Sequence, residues 1–432
     1  MRKNNKRVFF GPARNFNRPK PSFGRNFKNN RKANFTKSLF IDESKFINKA
    51  IENNLSEFIP KHKFTDFKIS EKLKQNILKK GFEKPTAIQD QTIPEVLNGK
   101  DVIGLADTGT GKTAAFLIPF IDKTIRNKNQ KVLIMAPTRE LAIQINAEFM
   151  ELAKFLGIFS VTAVGGDSIG PQISQIRRGY HFLIGTPGRI KDLAKRNLIR
   201  FDGFKSAILD ESDRMLDMGF IKDMKFILNQ MPKERQTLLF SATLSPKIEN
   251  LSHQFMHEPL KIKTKIRETS ANVDQDIIRV NSNDEKIEIL HNLLIDKKFM
   301  KVLVFVKTKS GAEKLEMDLG RRGFKAASIH GDKRQPQRQR ALKLFKEDKA
   351  QVLVATDVAA RGLDISEVSH VINFDIPATY EDYIHRIGRT GRAGKKGAAL
   401  TFIGQRIKTK HHNFSQSKRG SHRFSSVRAY NN

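Results

Sequence analysis

A glycine-rich stretch, ADTGTGKT at residues 106–113, has the residue types and spacing of a phosphate-binding loop. It lies between the strand-like DVIGL and the helix-like AAFLIPFIDKTI, and such a turn points backbone N–H groups and the positive end of a helix at a phosphate. Lys112 would reach the β- and γ-phosphates, and the Thr113 hydroxyl would bind Mg²⁺. An ordinary glycine loop would not need the Lys-Thr pair. The residues assigned to this nucleotide site are Ala106, Asp107, Thr108, Gly109, Thr110, Gly111, Lys112 and Thr113.

An acidic stretch, ILDESD at residues 208–213, follows an apolar run further along the chain. Downstream of a phosphate loop, Asp210 suits the acid that positions Mg²⁺, and Glu211 suits the group that orients or deprotonates the attacking water. An isolated Asp-Glu pair is usually a solvated turn, but the phosphate loop favours the catalytic interpretation. Together the two stretches predict hydrolysis of a nucleoside triphosphate, with Lys112 and an arginine stabilising charge on the phosphate.

Short apolar runs alternate with longer amphipathic segments, which predicts parallel β-sheets covered by helices on both faces. The runs form two series. The first contains DVIGLA, KVLIMAP, HFLIGTP, KSAILD and QTLLFSAT, and the second contains KVLVFV, AASIHG, QVLVATD, HVINFD and GAALTFI. We therefore predict an α/β fold of two tandem domains that separate near the polar residues 261–276. Ligands of such sheets bind at the carboxyl ends of the strands, where nearly all the polar clusters lie.

The chain of 432 residues is strongly basic, with a formal net charge of +34, which favours a polyanionic partner. It contains no cysteine, so disulfides and thiolate–metal sites are excluded. No run approaches the roughly 18 apolar residues of a membrane span, and no segment of the signal-peptide type begins the chain. These features predict a soluble protein of the cytoplasm with no membrane partner.

Both ends of the chain are basic and lack helical or strand periodicity. Residues 1–41 contain no acidic residue and interleave Phe with Arg, Lys and Asn, which suits disordered RNA binding through phosphate contacts and stacking. A solubilising tail and, less favoured, a mitochondrial transit peptide are the alternatives. A second basic tail follows from Gln405, in which His411 and His412 lack the partner residues of a metal site.

The motifs occur in an order that resembles the DEAD-box RNA helicases, from about Phe64 to Ile403. They are GFEKPTAIQ, ADTGTGKT, APTRELA, GG, TPGR, DESD, SAT, VLVFVKT, ATDVAARGLDI and HRIGRTGRAG. Each motif alone is weak, whereas the ordered set is highly specific. The resemblance implies two RecA-like domains, ATP and Mg²⁺ as ligands, and an RNA-dependent ATPase that unwinds or remodels short RNA duplexes and RNA–protein complexes.

The resemblance also implies how adenine is recognised. GFEKPTAIQ and the upstream Phe64 correspond to the family's Q motif, in which Gln89 would read the adenine edge with a bidentate amide. Phe82 would stack on the ring and Thr86 would assist the contact. From the residues alone, Phe82 could also be a core aromatic that follows a helix end.

Further roles follow from the resemblance for residues of the second half. Asp364 resembles the residue that binds the ribose, and Arg389 and Arg392 resemble arginine fingers that face charge on the γ-phosphate. His385 and Asp213 resemble members of a polar network that joins the ATP site to Ser241 and Thr243.

The RNA contacts implied by the resemblance involve small residues and backbone amides that let a sugar–phosphate chain approach. Such contacts position RNA without reading its sequence, and 2′-hydroxyl contacts would select RNA over DNA. The residues are Pro137, Thr138, Arg139, Gly166, Thr186, Gly188, Arg189, Thr308 and Thr356.

The implied organisation has six segments. They are a largely disordered basic extension (1–61), the Q-motif region (62–90), an ATP-binding domain (91–262), a linker (263–276), a C-terminal helicase domain (277–405) and a basic tail (406–432).

We expect a monomer, and ribosomal or RNA-decay proteins are candidate partners. An ATP-gated RNA clamp without net unwinding is the alternative function, whereas the Q motif disfavours a DNA helicase. The Asn- and Lys-rich composition is typical of an AT-rich, bacterial genome.

Three features depart from the family pattern. Asp107 replaces a common Gln at a position whose side chain need not touch phosphate. Ser212 replaces Ala and adds a hydroxyl that needs a partner if it is buried, and a neutral variation is favoured over an altered coupling step. After ALTFIGQR the chain lacks the usual closing helix, so either that helix is truncated or the reading frame is altered.

Overall fold

The computed structural model describes residues 41–50, 58–107, 109–264, 272–360, 365, 368–391 and 396–404, all within one compact unit that begins at Ile41. The predicted basic tails, residues 1–40 and the stretch after Gly404, lie outside the described residues. Among the described helices, none has both the length and the apolar character that a membrane span requires.

The first domain contains a seven-stranded sheet. Its strands are β1 Val102–Leu105, β2 Lys131–Met135, β3 Ser160–Ala163, β4 Phe182–Gly185, β5 Phe204–Leu209, β6 Gln236–Ser241 and β7 Leu260–Lys263. They lie in the order β3-β4-β2-β5-β6-β1-β7, and all the pairings are parallel. Parallel neighbours need crossover connections, and helices supply them here.

Nine helices of the described residues belong to this domain. They are α1 Glu71–Lys79, α2 Ala87–Leu97, α3 Lys112–Arg126, α4 Arg139–Leu152, α5 Ile169–Arg177, α6 Pro187–Lys195, α7 Ser212–Asp217, α8 Ile221–Gln230 and α9 Pro246–Phe255. Alternate residues of one strand enter two separate cores: Val132 and Ile134 enter one, and Leu133 and Met135 enter the other. Successive strand side chains point to opposite faces, so the sheet is covered on both sides.

The second domain repeats this plan with six parallel strands. They are β8 Val273–Val280, β9 Val302–Phe305, β10 Ala326–Ile329, β11 Val352–Ala355, β12 His370–Asn373 and β13 Gly397–Gly404, in the order β10-β11-β9-β12-β13-β8. Its helices are α10 Asn283–Ile295, α11 Lys309–Arg321, α12 Gln335–Lys346, α13 Asp357–Ala360 and α14 Tyr380–Ile387. Leu303 and Val304 again enter different cores. The predicted fold, two parallel-sheet α/β domains flanked by helices, is confirmed.

The predicted linker, residues 263–276, is too long. Strand β7 occupies Leu260–Lys263 and pairs with β1, while β8 begins at Val273 and pairs with β13. Both are edge strands with several exposed side chains, so their sequences are polar and lack the continuous apolar run of a central strand. Only residues 265–271 of the predicted linker lie outside the described part.

The predicted disordered extension, residues 1–61, is also too long. Residues Glu43–Phe46 form a 3₁₀ helix, and Phe46 is buried in the core of the second domain with 1% of its surface exposed. One apolar anchor among charged residues carries no periodicity, so the pattern does not reveal that this segment packs. A second 3₁₀ helix, Phe64–Asp66, opens the Q-motif region.

Candidate functional site

Three neighbouring strands of the first sheet, β5, β6 and β1, end at the same edge. β1 leads into the phosphate loop, β5 into Asp210 and Glu211, and β6 into the SAT motif that begins at Ser241. The backbone amide of Ala106 donates to the Ser241 carbonyl at 3.1 Å, which joins the loop to that motif. The parallel topology therefore brings together three motifs that lie far apart in the sequence.

The phosphate loop ends where α3 begins, at Lys112. The Lys112 ammonium is buried and donates to the Ala106 carbonyl at 3.0 Å, so it lies across the loop. Gly111 has a φ of 89°, and a Cβ atom there would lie 2.4 Å from the Gln89 Nε2 atom. Only glycine fits both the left-handed backbone and the close approach of that amide.

Gln89 connects the Q-motif region to the phosphate loop. Its Oε1 atom accepts from the Thr86 backbone amide at 2.9 Å, and its Nε2 atom donates to the Gly111 carbonyl at 3.1 Å. Thr86 is the N-cap of α2. Because a primary amide has two protons and two lone pairs, one of each remains on Gln89 for an adenine edge.

The two predicted aromatic contacts of adenine pack on one another. The rings of Phe64 and Phe82 are stacked with their centroids 6.1 Å apart. Phe64 is buried in the core and also meets Phe67 edge-on, whereas Phe82 is partly exposed. The structure therefore places Phe82 at the surface with Phe64 as its support.

Asp210 is a buried carboxyl at the end of β5. Burial raises its pKa to about 6, the Lys112 ammonium opposes that rise and Glu211 adds to it. The Asp210 Oδ1 atom accepts from the Glu211 backbone amide at 3.0 Å. Burial also raises the pKa of Asp107, whose Oδ2 atom is buried without a hydrogen-bond partner, so this departure from the family pattern adds a second acid near Lys112.

Glu211 has a strained backbone for a residue other than glycine, with a φ of 49°. Such conformations cost on the order of 1 kcal/mol or more and concentrate at functional sites. Its carboxylate forms a buried ion pair with Arg214 at 2.8 Å. The backbone and the ion pair together fix the direction of this carboxylate.

Arg214 is a site residue that the sequence motifs do not indicate. Besides Glu211, it donates from Nη2 to the Nδ1 atom of His385 in the second domain, at 3.3 Å. Burial and then the Arg214 charge lower the pKa of His385 to about 4, so the imidazole is neutral at pH 7 and accepts this bond. The three-residue spacing from Glu211 at the start of a helix is the signal that could have pointed to it.

The predicted coupling residues of the first domain lie in one network. The Asp213 carboxylate accepts from the backbone amides of Ala242 and Thr243, at 2.9 and 3.3 Å. The Ser241 hydroxyl donates to the Thr243 carbonyl at 2.6 Å. The acidic motif and the SAT motif are therefore joined directly, and Arg214 extends the cluster to His385.

Ser212 is fully buried, and its hydroxyl donates to the Phe240 carbonyl at 3.1 Å. The partner that a buried hydroxyl needs is thus a backbone group of β6, between the acidic motif and the SAT motif.

Replacing Ser212 with Ala is expected to leave nucleotide hydrolysis within about twofold, because Ala removes one hydroxyl and creates almost no cavity. Loss of the hydrogen bond should lower the free energy of unfolding by about 1 kcal/mol. Hydrolysis assays and urea unfolding of the two proteins measure these effects. A tenfold loss of hydrolysis would show that the hydroxyl takes part in coupling.

Six of the nine predicted RNA contacts line one cavity of about 450 Å³, and they are Pro137, Thr138, Arg139, Thr186, Gly188 and Arg189. They follow β2 and β4, which lie on the other side of β5 from the phosphate loop. Thr138 and Thr186 are the N-caps of α4 and α6. The carboxyl edge of this sheet thus carries the nucleotide motifs on one half and the cavity on the other.

Three arginines line this cavity, Arg139, Arg189 and Arg338, together with the acidic residues Glu140 and Asp192. Burial lowers the pKa of the Arg139 guanidinium, and the neighbouring charge of Arg338 lowers it further. Arg338 comes from the second domain and donates to the buried Glu140 at 2.7 Å. Gly166 lies against Arg139, since a Cβ atom there would be 1.7 Å from its guanidinium. The sequence motifs do not indicate Arg338 either.

The remaining predicted residues belong to the second domain. Thr308 caps α11 and accepts from the Gly311 amide, while the buried Thr356 precedes α13; both follow adjacent strands, β9 and β11. Arg389 is buried and lines a small pocket with His385 and Arg386. Three predicted site residues lie outside the described part of the chain: Thr108, Asp364 and Arg392.

Two family descriptions match this chain. Residues 86–251 match the DEAD/DEAH box helicase family, and residues 285–394 match the helicase conserved C-terminal domain.

Bacterial relatives match most of the chain. The ATP-dependent RNA helicase CshA of Listeria monocytogenes is 47% identical over 79% of this chain and 66% of its own length. The DEAD-box ATP-dependent RNA helicase CshA of Bacillus subtilis is 46% identical over 80% of this chain and 70% of its own length. The chain therefore spans about two thirds of the length of these relatives.

Two solved structures share the fold. S. cerevisiae Dbp5 bound to RNA and ADP BeF3 aligns with a TM-score of 0.70 at 30% identity, over 79% of this chain and 89% of that one. Mss116p bound to ssRNA and AMP-PNP aligns with a TM-score of 0.73 at 30% identity, over 83% of this chain and 78% of that one.

Proposed function

The chain belongs to the DEAD-box helicase family, and we propose that it is an ATP-dependent RNA helicase that couples RNA-stimulated ATP hydrolysis to local unwinding or remodelling of short RNA duplexes and RNA–protein complexes. The main support for this proposal is that the nucleotide motifs and the arginine-lined cavity lie side by side at the carboxyl edge of one sheet. Nucleotide motifs follow β1, β5 and β6, and an arginine-lined cavity follows β2 and β4. One sheet would thus link the ATP site to the RNA site.

The phosphate loop and α3 would hold the ATP phosphates, with Lys112 on the β- and γ-phosphates. Glu211 would orient or deprotonate the attacking water, and Arg389 and Arg392 would stabilise charge on the γ-phosphate. Phe82 and Gln89 would hold adenine, and the partly buried ring of Phe82 and the two unused bonding positions of Gln89 support this.

The residues fit a magnesium ion held together with a nucleotide. Thr113 and Asp210 supply hard oxygen donors, and Mg²⁺ typically takes one or two carboxylates plus substrate phosphates. The raised pKa of the buried Asp210 carboxyl fits a site where a cation would stabilise the carboxylate. No group of three or more His, Cys, Asp or Glu residues in the described part could hold a metal alone, so the phosphates are needed. When bound, the ion would offset negative charge on the phosphates.

RNA would lie along the cavity and across to the second domain. Thr138, Thr186 and Thr308 follow strands and are the N-caps of helices, where backbone amides point outward to phosphate oxygens. Contacts of this kind do not read bases, so the core would bind RNA of any sequence. The basic tails would add phosphate contacts and strengthen binding at low salt.

Contacts between the domains support a clamp that closes on both ligands. Arg214 and His385 meet on the nucleotide side, and Arg338 and Glu140 meet on the RNA side. A closed state held at both places would bind ATP and RNA with positive, reciprocal coupling. Loss of the γ-phosphate would weaken closure and release RNA. We propose that the protein acts as a monomer in the cytoplasm.

ATP hydrolysis with and without single-stranded RNA tests the proposal. We expect a low rate for the protein alone and a rate at least about tenfold higher with RNA, because RNA favours the closed state in which the arginines meet the nucleotide. The same rate with and without RNA would contradict the proposed coupling.

A further inference from the structure

A segment that precedes the first domain in sequence packs on the second domain. Residues 41–50, here called the strap, pack on the second domain, although the first domain follows them in sequence from Phe58 onward. The second domain is therefore built from two separate parts of the chain. The strap adds no strand to the sheet of either domain, so its packing on the second domain must serve another purpose.

Phe46 anchors the strap in the core of the second domain. Its ring, 1% exposed, meets the ring of Tyr383 edge-on, with the centroids 4.7 Å apart. Tyr383 lies on α14 and is itself fully buried. The Lys45 ammonium lies over the ring of Tyr380, one turn earlier on the same helix, at 5.2 Å from the centroid. The strap therefore contacts α14 through two successive residues.

Backbone pairing fixes the strap to the edge strand β8. Asn48 and Gln275 exchange two backbone hydrogen bonds, at 3.1 and 2.7 Å, in an antiparallel bridge. The Gln275 side chain also accepts from the Tyr383 hydroxyl at 2.9 Å. One buried residue thus bonds both the strap and α14, so displacement of the strap removes support from that helix.

Polar contacts at both ends of the strap add to this attachment. The Ala50 amide donates to the Asp274 carboxylate at 2.8 Å, and Glu43 pairs with Arg279 at 2.8 Å. These contacts are partly exposed and contribute little energy alone, but they fix the register in which Phe46 meets α14.

The supported helix carries the second domain's half of the nucleotide site. His385, which contacts Arg214 of the first domain, lies two residues after Tyr383, and Arg389 follows the end of the helix. Arg386 holds the other side of α14 through a two-pronged ion pair with Asp357, at 2.6 and 2.7 Å. The helix is thus held between Asp357 on one side and the strap on the other.

We propose that the strap is a positioning element for α14, with Phe46 as its positioning residue, and that it sets the direction in which His385 and Arg389 face the nucleotide bound to the first domain. This inference rests on the proposed function and adds to it a segment outside the family's motifs. Small displacements of a catalytic group have large effects on rate, so the strap should act on turnover rather than on nucleotide capture.

Full-length variants at neighbouring positions test the proposal. Phe46→Ala empties the anchor pocket, and Ile47→Ala is a matched control because the Ile47 side chain is 51% exposed. Phe46→Leu retains apolar volume in the pocket. We expect Phe46→Ala to lower the RNA-saturated kcat for ATP about tenfold, while Ile47→Ala and Phe46→Leu stay within about twofold. The affinity for ADP, which the first domain holds, should change in none of them.

Amide hydrogen exchange of the same proteins separates positioning from simple destabilisation. In Phe46→Ala, exchange should rise in residues 380–387 and at Gln275, while the first-domain strands keep the protection of the unmodified chain. Equal kcat values for Phe46→Ala and Ile47→Ala, or an unchanged α14 after loss of the strap, would overturn the proposal. If the unmodified chain showed no RNA-stimulated hydrolysis, the proposed function itself would fail, which is a different result.

Discussion

Replacing Glu211 with Gln is expected to lower the rate of ATP hydrolysis at least about 100-fold while ATP and RNA binding persist. The amide keeps the shape of the side chain but cannot take a proton from water. Arg214 would also lose its buried ion-pair partner, and an uncompensated buried charge should lower the free energy of unfolding by about 3 kcal/mol. Steady-state hydrolysis, equilibrium binding of labelled ATP and RNA, and urea unfolding measure the three effects.

Glu234→Gln is the matched control, since Glu234 is exposed and lies outside the site. It should match the unmodified chain in all three measurements. The double variant Glu211→Gln with Arg214→Met removes the uncompensated charge, so it should regain stability without regaining hydrolysis. Hydrolysis by Glu211→Gln at the normal rate would show that another group acts on the water.

Replacing Arg389 with Ala is expected to lower kcat for ATP about 1,000-fold, the usual effect of removing an arginine that faces the transferred phosphate. The residue is buried beside His385, on the second-domain side of the contact with Arg214. Because the phosphate loop belongs to the first domain, nucleotide affinity should change far less than kcat. Hydrolysis at saturating ATP and RNA, with ADP titrations beside it, measures this difference.

Two further variants make the Arg389 result interpretable. Arg389→Lys keeps the charge but not the planar fork, so it should restore only a small part of the rate. Arg340→Ala removes an exposed arginine of the same domain and should have no effect. Thermal unfolding identifies any variant that fails to fold. If folded Arg389→Ala hydrolysed ATP at a rate within threefold of normal, Arg389 would have no catalytic role.

The sequence predicts local features of the fold well. Apolar runs predict ten of the strands, and nine of these are central strands, which in a parallel sheet are buried on both faces and continuously hydrophobic. The tenth, β10, lies at a sheet edge. Residue types, spacing and the flanking strand and helix predict the phosphate loop, because its function depends on one local turn and on the Lys112 side chain that follows it. The weaker strands β3, β7 and β8 lie at sheet edges, and side chains that are exposed or only partly buried interrupt their apolar pattern.

Features that depend on contacts between distant segments could not be predicted. Phe46 is buried only because β8 and α14 form a pocket more than 200 residues later in the chain. Arg214 and Arg338 take their importance from His385 and Glu140 in the opposite domain. The residues around each arginine in the sequence have the pattern of an ordinary solvent-exposed charged helix. Tertiary structure shows that both arginines are buried and that each bonds a residue of the opposite domain, and only the pair of Arg214 with Glu211 has a sequence signal, their three-residue spacing.

Strand displacement on a short RNA duplex with an unpaired single-stranded extension is the most direct test of ATP-dependent RNA unwinding. We expect separation of the strands with ATP, no separation with ADP or without nucleotide, and no separation of the equivalent DNA duplex. Hydrolysis of ATP on the RNA duplex without strand separation would indicate an ATP-gated clamp. Equal separation of the DNA duplex would contradict the assignment to RNA.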